Sequence, residues 1–222
     1  MANGVSISPF EDQSAEPPVR GFLHTPDKQN GHALVLAHSA GGDCQSKLLL
    51  GVASAIAEAG LLVLRASLPF RQQRPHGPPF PGSAARDREG LRRAVAVMGR
   101  QAAGKIFLGG HSYGGRQATM LAAEAPGLVA GLLLLSYPLH PPRKPAELRT
   151  AHFPRLTTPA LFFHGTRDPF GSIEQMTSAL SLIPARHRLF SVEGGGHDLT
   201  AKNASPNSWA EICEVFVEFS LR

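Results

Sequence analysis

The stretch FLGGHSYGGRQ, residues 107–117, places a serine between an apolar run and a segment of helical periodicity. Ser112 stands in the pattern Gly-x-Ser-x-Gly, between Gly110 and Gly114. Glycines suit a tight strand-to-helix turn, because the backbone there approaches its neighbours closely and often has a positive φ. The start of the following helix also favours negative charge that develops near the serine. The pattern indicates either a nucleophile or a serine in a glycine-rich turn.

The composition is that of a globular chain. Its 222 residues are 42% hydrophobic and 18% charged, enough for one α/β domain with a sizeable core. No repeat or linker divides residues 1–222, so we expect a single domain. A secretory signal is not recognisable, and the longest apolar run is only about half of the roughly twenty residues that span a bilayer. Two cysteines, Cys44 and Cys213, favour a reducing compartment. The sequence therefore predicts a cytoplasmic protein.

The charge pattern excludes several classes of partner. The net charge is +5, but the basic residues are dispersed apart from a denser region at 65–93, and no nucleic-acid-binding signature accompanies them. We therefore expect neither a nucleic acid nor a membrane as partner, and the oligomeric state stays open. Spacings typical of zinc ligands are lacking, so we expect no metal.

Apolar runs alternate with helix-like patterns along the chain, which predicts a mostly parallel sheet with helices on both faces. Residues 1–30 are expected to add one or two antiparallel edge strands. Sheets of this class bind ligands beyond the carboxyl ends of their strands, so candidate site residues are sought there. The predicted strands are 33–38, 61–66, 105–110, 131–137, 160–165 and 188–193. The predicted helices are 47–60, 84–99, 115–126, 172–183 and 208–221.

The run GGHSYGG between a strand and a helix resembles the nucleophile elbow of the α/β-hydrolases. The resemblance extends from residue 33 to residue 198, and it implies the α/β-hydrolase fold. Many members insert a helical lid where residues 138–159 are proline-rich, so we predict a loop there and no separate lid domain. A small chain without a lid is similar to the dienelactone-hydrolase and small-carboxylesterase branch. The runs SYPLHPP and GTRDPFG resemble a subgroup of small α/β-hydrolase-like proteins.

The resemblance implies a catalytic triad of Ser112, Asp168 and His197. In ALFFHGTRDPFG, Asp168 follows a buried strand, as the acid of this family does. The family's chain order is serine, acid, histidine, and only His187 and His197 follow Asp168. His187 begins a strand and so stands at the wrong end of the sheet. The weaker alternatives for the acid are Glu193 and Asp198.

The resemblance also implies an oxyanion hole made by two backbone amides. One belongs to Tyr113, directly after the serine, and the other to the turn in ALVLAHSAGGD. We expect Ala40 to supply it, with Ser39 and Gly41 as alternatives, because Ser39 stands where relatives have glycine. The other histidines near strand ends are expected to support this turn or their own loops: His38, His111 and His164.

These features predict a serine hydrolase that cleaves carboxylic ester or lactone bonds of small substrates through an acyl-enzyme, without a metal or organic cofactor. The alternatives are a thioesterase or peptidase with the same triad, and a non-catalytic interaction module. Arg71 could meet an acidic acyl group of the substrate or anchor a long loop, and anchoring is the favoured interpretation. The side chains expected to contact the substrate follow predicted strand ends or lie on adjoining loops: Tyr137, His140, Phe170, Phe70 and Arg71.

Overall fold

Eight strands form one sheet in the computed structural model, which describes residues 4–14, 16–141, 143–200 and 208–221. The sheet order is β1-β2-β4-β3-β5-β6-β7-β8, and only the β1–β2 and β2–β4 pairs are antiparallel. The predicted mostly parallel sheet is confirmed. The strands are β1 (Val5–Asp12), β2 (Val19–Pro26), β3 (Ala33–Ala37), β4 (Leu62–Ser67), β5 (Ile106–His111), β6 (Gly131–Leu135), β7 (Ala160–Gly165) and β8 (His187–Val192).

Within the described ranges, six α-helices and one 3₁₀ helix connect and cover these strands. The five-residue α2 lies in a stretch for which the sequence predicted no helix. Local caps fix some of the helix starts: at α5, the Ser172 side chain and the Gln175 side chain form a reciprocal capping box. The helices are α1 (Lys47–Glu58), α2 (Pro69–Gln73), α3 (Ser83–Gln101), α4 (Tyr113–Glu124), α5 (Ile173–Leu180) and α6 (Ser208–Leu221), with the 3₁₀ helix at Phe153–Arg155.

The helices cover both faces of the sheet. Val35 of β3 packs in one apolar cluster with residues of α3, α4 and α5. Its neighbours Leu34 and Leu36 pack on the opposite face, in a cluster with α1 and α6. A strand that is buried on both faces must be apolar at every position, which is why the central strands are continuous apolar runs in the sequence.

The crevice of this sheet lies between the carboxyl ends of β3 and β5. These strands pair in parallel, with Ala37 opposite Gly110, and β4 pairs with the other edge of β3. The chain leaves β3 for α1 on one face and leaves β5 for α4 on the other. Such a reversal opens a ligand-binding crevice at the strand ends.

The described residues of the 138–159 segment are mostly irregular and pack against the core rather than forming a lid. Among the residues of this segment that the structure describes, the 3₁₀ helix is the only helical element. The ring of Tyr137 packs against Phe153 and Phe162, and its hydroxyl donates to the carbonyl of Arg149 at 2.6 Å. These contacts hold the segment at the edge of the crevice. No helix within the described ranges is long and apolar enough to cross a membrane.

Candidate active site

Ser112 lies in a sharp turn between β5 and α4. Its backbone has φ 52° and ψ −115°, a region that residues other than glycine rarely occupy. Its N–H donates to the carbonyl of Leu135 at 2.9 Å, and its own carbonyl accepts from the N–H of Arg116 at 2.9 Å. These hydrogen bonds fix the serine at the crevice.

The two glycines beside Ser112 are required by close packing against the end of β3. A Cβ on Gly110 would lie 2.5 Å from the carbonyl oxygen of Ala37, and one on Gly114 would lie 2.6 Å from that of His38. Any residue with a Cβ would overlap with a backbone oxygen at either position, so both positions require glycine. The pattern around the serine therefore reflects a close approach of β5 and α4 to the turn after β3.

The three predicted triad residues lie in one hydrogen-bonded chain. Nε2 of His197 is 2.8 Å from Oγ of Ser112, and Nδ1 of His197 is 2.8 Å from Oδ2 of Asp168. The side chain of His197 is 24% exposed, whereas that of Asp168 is fully buried. Because an ionised carboxylate only accepts, the Nδ1–H donates to it, and Nε2 is left to accept the Ser112 proton.

The carboxylate of Asp168 is stabilised in its ionised form. Burial by itself raises the pKa, but the hydrogen bond and charge of His197 and the backbone N–H of Phe170 outweigh it, so the pKa of Asp168 lies below its ordinary value. His164 contributes a weaker charge effect from 3.9 Å, while its Nε2–H donates to the carbonyl of Gly171 at 2.8 Å. Asp168 is therefore a carboxylate at neutral pH.

His111 supports the loop that carries His197. Its Nε2–H donates to the backbone carbonyl of His197 at 2.7 Å, and the two rings lie 5.1 Å apart. Burial, followed by the nearby charge of His197, lowers the pKa of His111 to about 4. The ring of Phe170 contacts His197 as well, at 4.2 Å between centroids. Both contacts restrict the orientation of the imidazole.

The turn after β3 lies opposite Ser112 across the crevice, and hydrogen bonds from two side chains fix its conformation. Burial above all lowers the pKa of His38 to about 4, so the ring is neutral. Its Nε2 accepts from the N–H of Leu68 at 3.0 Å, and its Nδ1–H donates to the carbonyl of Ser39 at 2.8 Å. Nε of Arg71 donates to the carbonyl of Gly42 at 3.0 Å. The conformation of the turn is thus fixed by two side chains.

The amide donors expected for an oxyanion hole lie in this turn and at the start of α4. The N–H of Tyr113 belongs to the first turn of α4, where amides have no acceptor within the helix. Ser39, Ala40 and Gly41 all line the same cleft as Ser112. The structure therefore brings Ala40 and both of its alternatives to the site.

A buried carboxylate that sequence reasoning missed lies behind Tyr113. Oδ2 of Asp87 accepts from the Tyr113 hydroxyl at 2.7 Å, and its Oδ1 accepts from the N–H of Phe70 at 3.0 Å. Burial raises the pKa of Asp87, although these hydrogen bonds oppose the rise. The run ARDREGLRR (85–93) resembles a solvated helix face, so only its helical register could have indicated an inward position for Asp87.

A cleft of about 500 Å³ opens beside the serine. Its walls come from the turn after β3, the loop after α2, the start of α4, the 138–159 segment and the loops that carry the acid and the histidine. The lining residues are Ser39, Ala40, Gly41, Pro78, Pro79, Ser112, Tyr113, Arg116, Pro138, Arg149, Phe170 and His197.

Of the five side chains expected to contact substrate, only Phe170 lines this cleft. Tyr137 and Phe70 are 1% and 2% exposed and pack in the core, and His140 is buried with its Nδ1–H donating to the carbonyl of Pro141. Arg71 anchors backbone carbonyls, as the favoured interpretation expected, and does not line the cleft. The predictions for Tyr137, Phe70 and His140 are corrected, because a position after a strand end does not determine whether the side chain points into the cleft or into the core.

Two arginines line the cleft that the sequence did not single out. Arg116 follows Ser112 by one turn of α4, so helical register could have placed it beside the serine. Arg149 comes from the irregular 138–159 segment, where no periodicity indicates direction. Over the described ranges, no group of three or more His, Cys, Asp or Glu side chains forms a metal-binding arrangement.

Comparison with known proteins agrees with the fold. The chain resembles a dienelactone hydrolase from Anabaena variabilis (21% identity, 98% of this chain and 97% of that one, TM-score 0.75). It also resembles Est1E from Butyrivibrio proteoclasticus (14%, 96% and 99%, 0.75) and a serine hydrolase without a lid from Xanthomonas campestris (16%, 96% and 93%, 0.68). At these identities the likeness concerns the fold. Residues 30–221 match the family described as alpha/beta hydrolase domain, and the protein therefore belongs to the α/β-hydrolase family.

Proposed function

We propose that the protein is a serine hydrolase that cleaves carboxylic ester or lactone bonds of small substrates. One observation carries the proposal: an unbroken chain of two 2.8 Å hydrogen bonds from Asp168 through His197 to Ser112, which opens onto a cleft. A nucleophile within reach of a base, and a base oriented by a third group, is the arrangement that activates a hydroxyl for acyl transfer.

In the first half of the reaction, Oγ of Ser112 attacks the acyl carbonyl while Nε2 of His197 takes its proton. The carboxylate of Asp168 stabilises the imidazolium that forms. The N–H of Tyr113 and an amide of the opposite turn, which we assign to Ala40, bind the oxyanion. His197 then returns the proton to the leaving alkoxide, and the acyl group remains on Ser112.

In the second half, water attacks the acyl-enzyme with His197 as base. Collapse of the second oxyanion breaks the ester bond to Ser112, whose oxygen recovers its proton from His197, and the acid is released. The open cleft favours small acyl groups, since little apolar surface is available to bury a long chain at about 0.8 kcal/mol per CH₂. We expect 4-nitrophenyl acetate or butyrate to be hydrolysed with a higher kcat/KM than the palmitate ester.

The proposal is tested by labelling with a fluorophosphonate and by hydrolysis of 4-nitrophenyl acetate. Ser112→Ala should abolish labelling and lower kcat/KM by at least about 10³-fold, because the acyl-enzyme cannot form. Ser178→Ala, on the exposed face of α5, is the matched control and should retain both. Labelling and full hydrolysis by Ser112→Ala would refute the proposal.

A panel of matched esters, lactones, thioesters and peptides then defines the bond that is cleaved. The proposal expects the oxygen esters or lactones to have the highest kcat/KM. If the protein reacts with the fluorophosphonate but has its highest kcat/KM with thioesters or amides, the acyl-enzyme mechanism stands and the proposed substrate class is wrong.

A further inference from the structure

The two amides assigned to the oxyanion hole lie on different elements of the fold. The N–H of Tyr113 is at the start of α4, whereas Ala40 belongs to the turn after β3, and both residues line the cleft. Donors stabilise a transition state only if they are held within about 0.5 Å of the productive geometry. The distance between these two elements therefore has to be fixed by contacts elsewhere in the structure.

One oxygen of Asp87, on α3, holds the first element. The Asp87 side chain is fully buried, and its Oδ2 accepts from the Tyr113 hydroxyl at 2.7 Å. The Tyr113 side chain is thus fixed at both ends, by the backbone of α4 and by the carboxylate of α3. This contact holds the first residue of α4 against α3.

The other oxygen of Asp87 holds the short helix α2. Oδ1 accepts from the N–H of Phe70 at 3.0 Å, and this amide in the first turn of α2 has no acceptor within the helix. Gly90 lies on the same face of α3, three residues after Asp87. A Cβ on Gly90 would lie 2.6 Å from Cγ of Pro69, so α3 and the start of α2 are in close contact around the carboxylate.

Helix α2 in turn holds the second element, the turn after β3. The N–H of Leu68, which precedes α2, donates to Nε2 of His38. The guanidinium of Arg71 donates to the carbonyls of Ala40 and Gly42. A movement of α2 would therefore move the peptide planes of the turn.

The ring of Phe70 connects the two elements directly. Its centroid lies 5.7 Å from that of Tyr113 and 5.5 Å from that of His38. Because Asp87 binds both the Phe70 amide and the Tyr113 hydroxyl, one carboxylate sets the spacing of these rings.

A carboxylate at this position is costly for stability alone. Burial raises the pKa of Asp87, which shows that the charged form is disfavoured. Within the described ranges Asp87 has no ion-pair partner, and its neighbour Arg88 pairs with Glu124. Apolar residues often stabilise a core as well as a buried charge does, so the two hydrogen bonds of Asp87 call for another explanation.

We propose that Asp87 is a positioning residue of the proposed oxyanion hole, in which the two oxygens of one buried carboxylate hold the two elements that carry the amide donors. Asp87 does not line the cleft, so it acts through these elements and not on the substrate. The inference rests on the proposed function, because the spacing of the amides matters only if an oxyanion forms.

The first test is steady-state hydrolysis of 4-nitrophenyl acetate. Asp87→Ala removes both hydrogen bonds, and we expect kcat to fall by about ten- to hundredfold. KM should change little, because acylation and deacylation both pass through an oxyanion and are slowed alike. Asp87→Asn keeps an acceptor for the Phe70 amide, and Tyr113→Phe removes only one bond, so both variants should lose less kcat than Asp87→Ala.

A boronic acid provides a measurement that a purely structural role would not change. Oγ of Ser112 adds to the boron of 1-butaneboronic acid while its proton passes to His197, and the tetrahedral adduct places an oxygen in the oxyanion hole. The inhibition constant should therefore rise in the Asp87 variants by about the factor by which kcat/KM falls.

Two control variants separate positioning from general loss of stability or charge. Ile56→Val alters the buried face of α1 in the opposite apolar cluster, and should lower the urea midpoint without changing kcat or the inhibition constant. Asp12→Asn removes a carboxylate that accepts from Ser14 and Arg100 on β1, and should change neither constant.

An unchanged kcat in folded Asp87→Ala would overturn the positioning role while the proposed function stands. If Asp87→Ala does not fold, an unchanged kcat in Tyr113→Phe has the same meaning. A fall in kcat without a rise in the inhibition constant would also contradict positioning. Wild-type protein that neither hydrolyses the ester nor reacts with a fluorophosphonate would instead refute the proposed function, and this inference with it. Circular dichroism checks that each variant is folded.

Discussion

Nη2 of Arg71 donates to the carbonyl of Ala40 at 2.9 Å, across 31 positions of sequence. The same guanidinium donates through Nε to Gly42 and through Nη1 to Pro75. Because these carbonyls are fixed, the peptide planes of the turn after β3 are fixed as well. We therefore interpret Arg71 as a positioning residue for the proposed oxyanion hole.

Replacement of this guanidinium should weaken stabilisation of the transition state more than binding of substrate. We expect Arg71→Ala to lower kcat by about ten- to hundredfold with a smaller change in KM, somewhat less than the loss of an oxyanion donor itself. Steady-state hydrolysis of 4-nitrophenyl acetate measures both constants. Arg74→Ala, directly after α2 and with its guanidinium over the ring of Phe80, is the control. A change in KM alone would contradict the positioning role.

Asp168 is expected to be the acid of the triad. Asp168→Asn should keep the shape of the site but favour the wrong imidazole tautomer, a change worth about 10⁴-fold in kcat in a comparable triad. Asp198→Asn is the matched control, because the Asp198 side chain accepts from its neighbour Thr200. If Asp198→Asn abolished hydrolysis and Asp168→Asn did not, the assignment would be wrong.

The hydroxyl of Tyr113 should matter for stability. Tyr113→Phe removes the 2.7 Å hydrogen bond to the fully buried Asp87 and leaves its carboxylate short of a donor, at a cost of about 1–3 kcal/mol in the free energy of unfolding. Urea denaturation measures this loss. Adding Asp87→Asn removes the buried charge, so the double variant should lose less than the sum of the two single variants. Strict additivity would show that the two groups are not coupled.

The protein should lose stability in weak acid. Burial in each case lowers the pKa of four histidines from 6.5 to about 4, so the unfolded chain binds more protons between these values and the free energy of unfolding falls as the pH falls through that window. The urea midpoint should therefore drop between pH 7 and pH 5, and less so in His152→Gln. A midpoint independent of pH over that range would contradict the expectation. The residues are His24, His38, His111 and His152.

Much of the fold is predictable because the central strands are buried on both faces and therefore read as unbroken apolar runs. The order of these runs and helix patterns gives a parallel sheet, and the start of the chain supplies the antiparallel strands β1 and β2. Helix α2 was not predictable, since five residues are too few for helical periodicity to emerge.

The candidate site likewise has a part that the sequence predicts and a part that it does not. Ser112, Asp168 and His197 could be located from the family resemblance together with their positions after predicted strands, because the carboxyl ends of parallel strands meet at one edge of the sheet. The direction of a side chain is set by tertiary packing instead, and this is why Tyr137 lies in the core while Arg149, in the segment that follows, reaches the cleft.

The positive φ of Ser112 has a consequence for the selection of stable variants. Holding a residue with a Cβ at φ 52° costs on the order of 1–3 kcal/mol, whereas glycine adopts a positive φ with little penalty. Selection for thermal resistance and selection for turnover therefore act in opposite directions at this position. A library screened for heat tolerance alone should accumulate glycine at residue 112, and its most robust members would be inert.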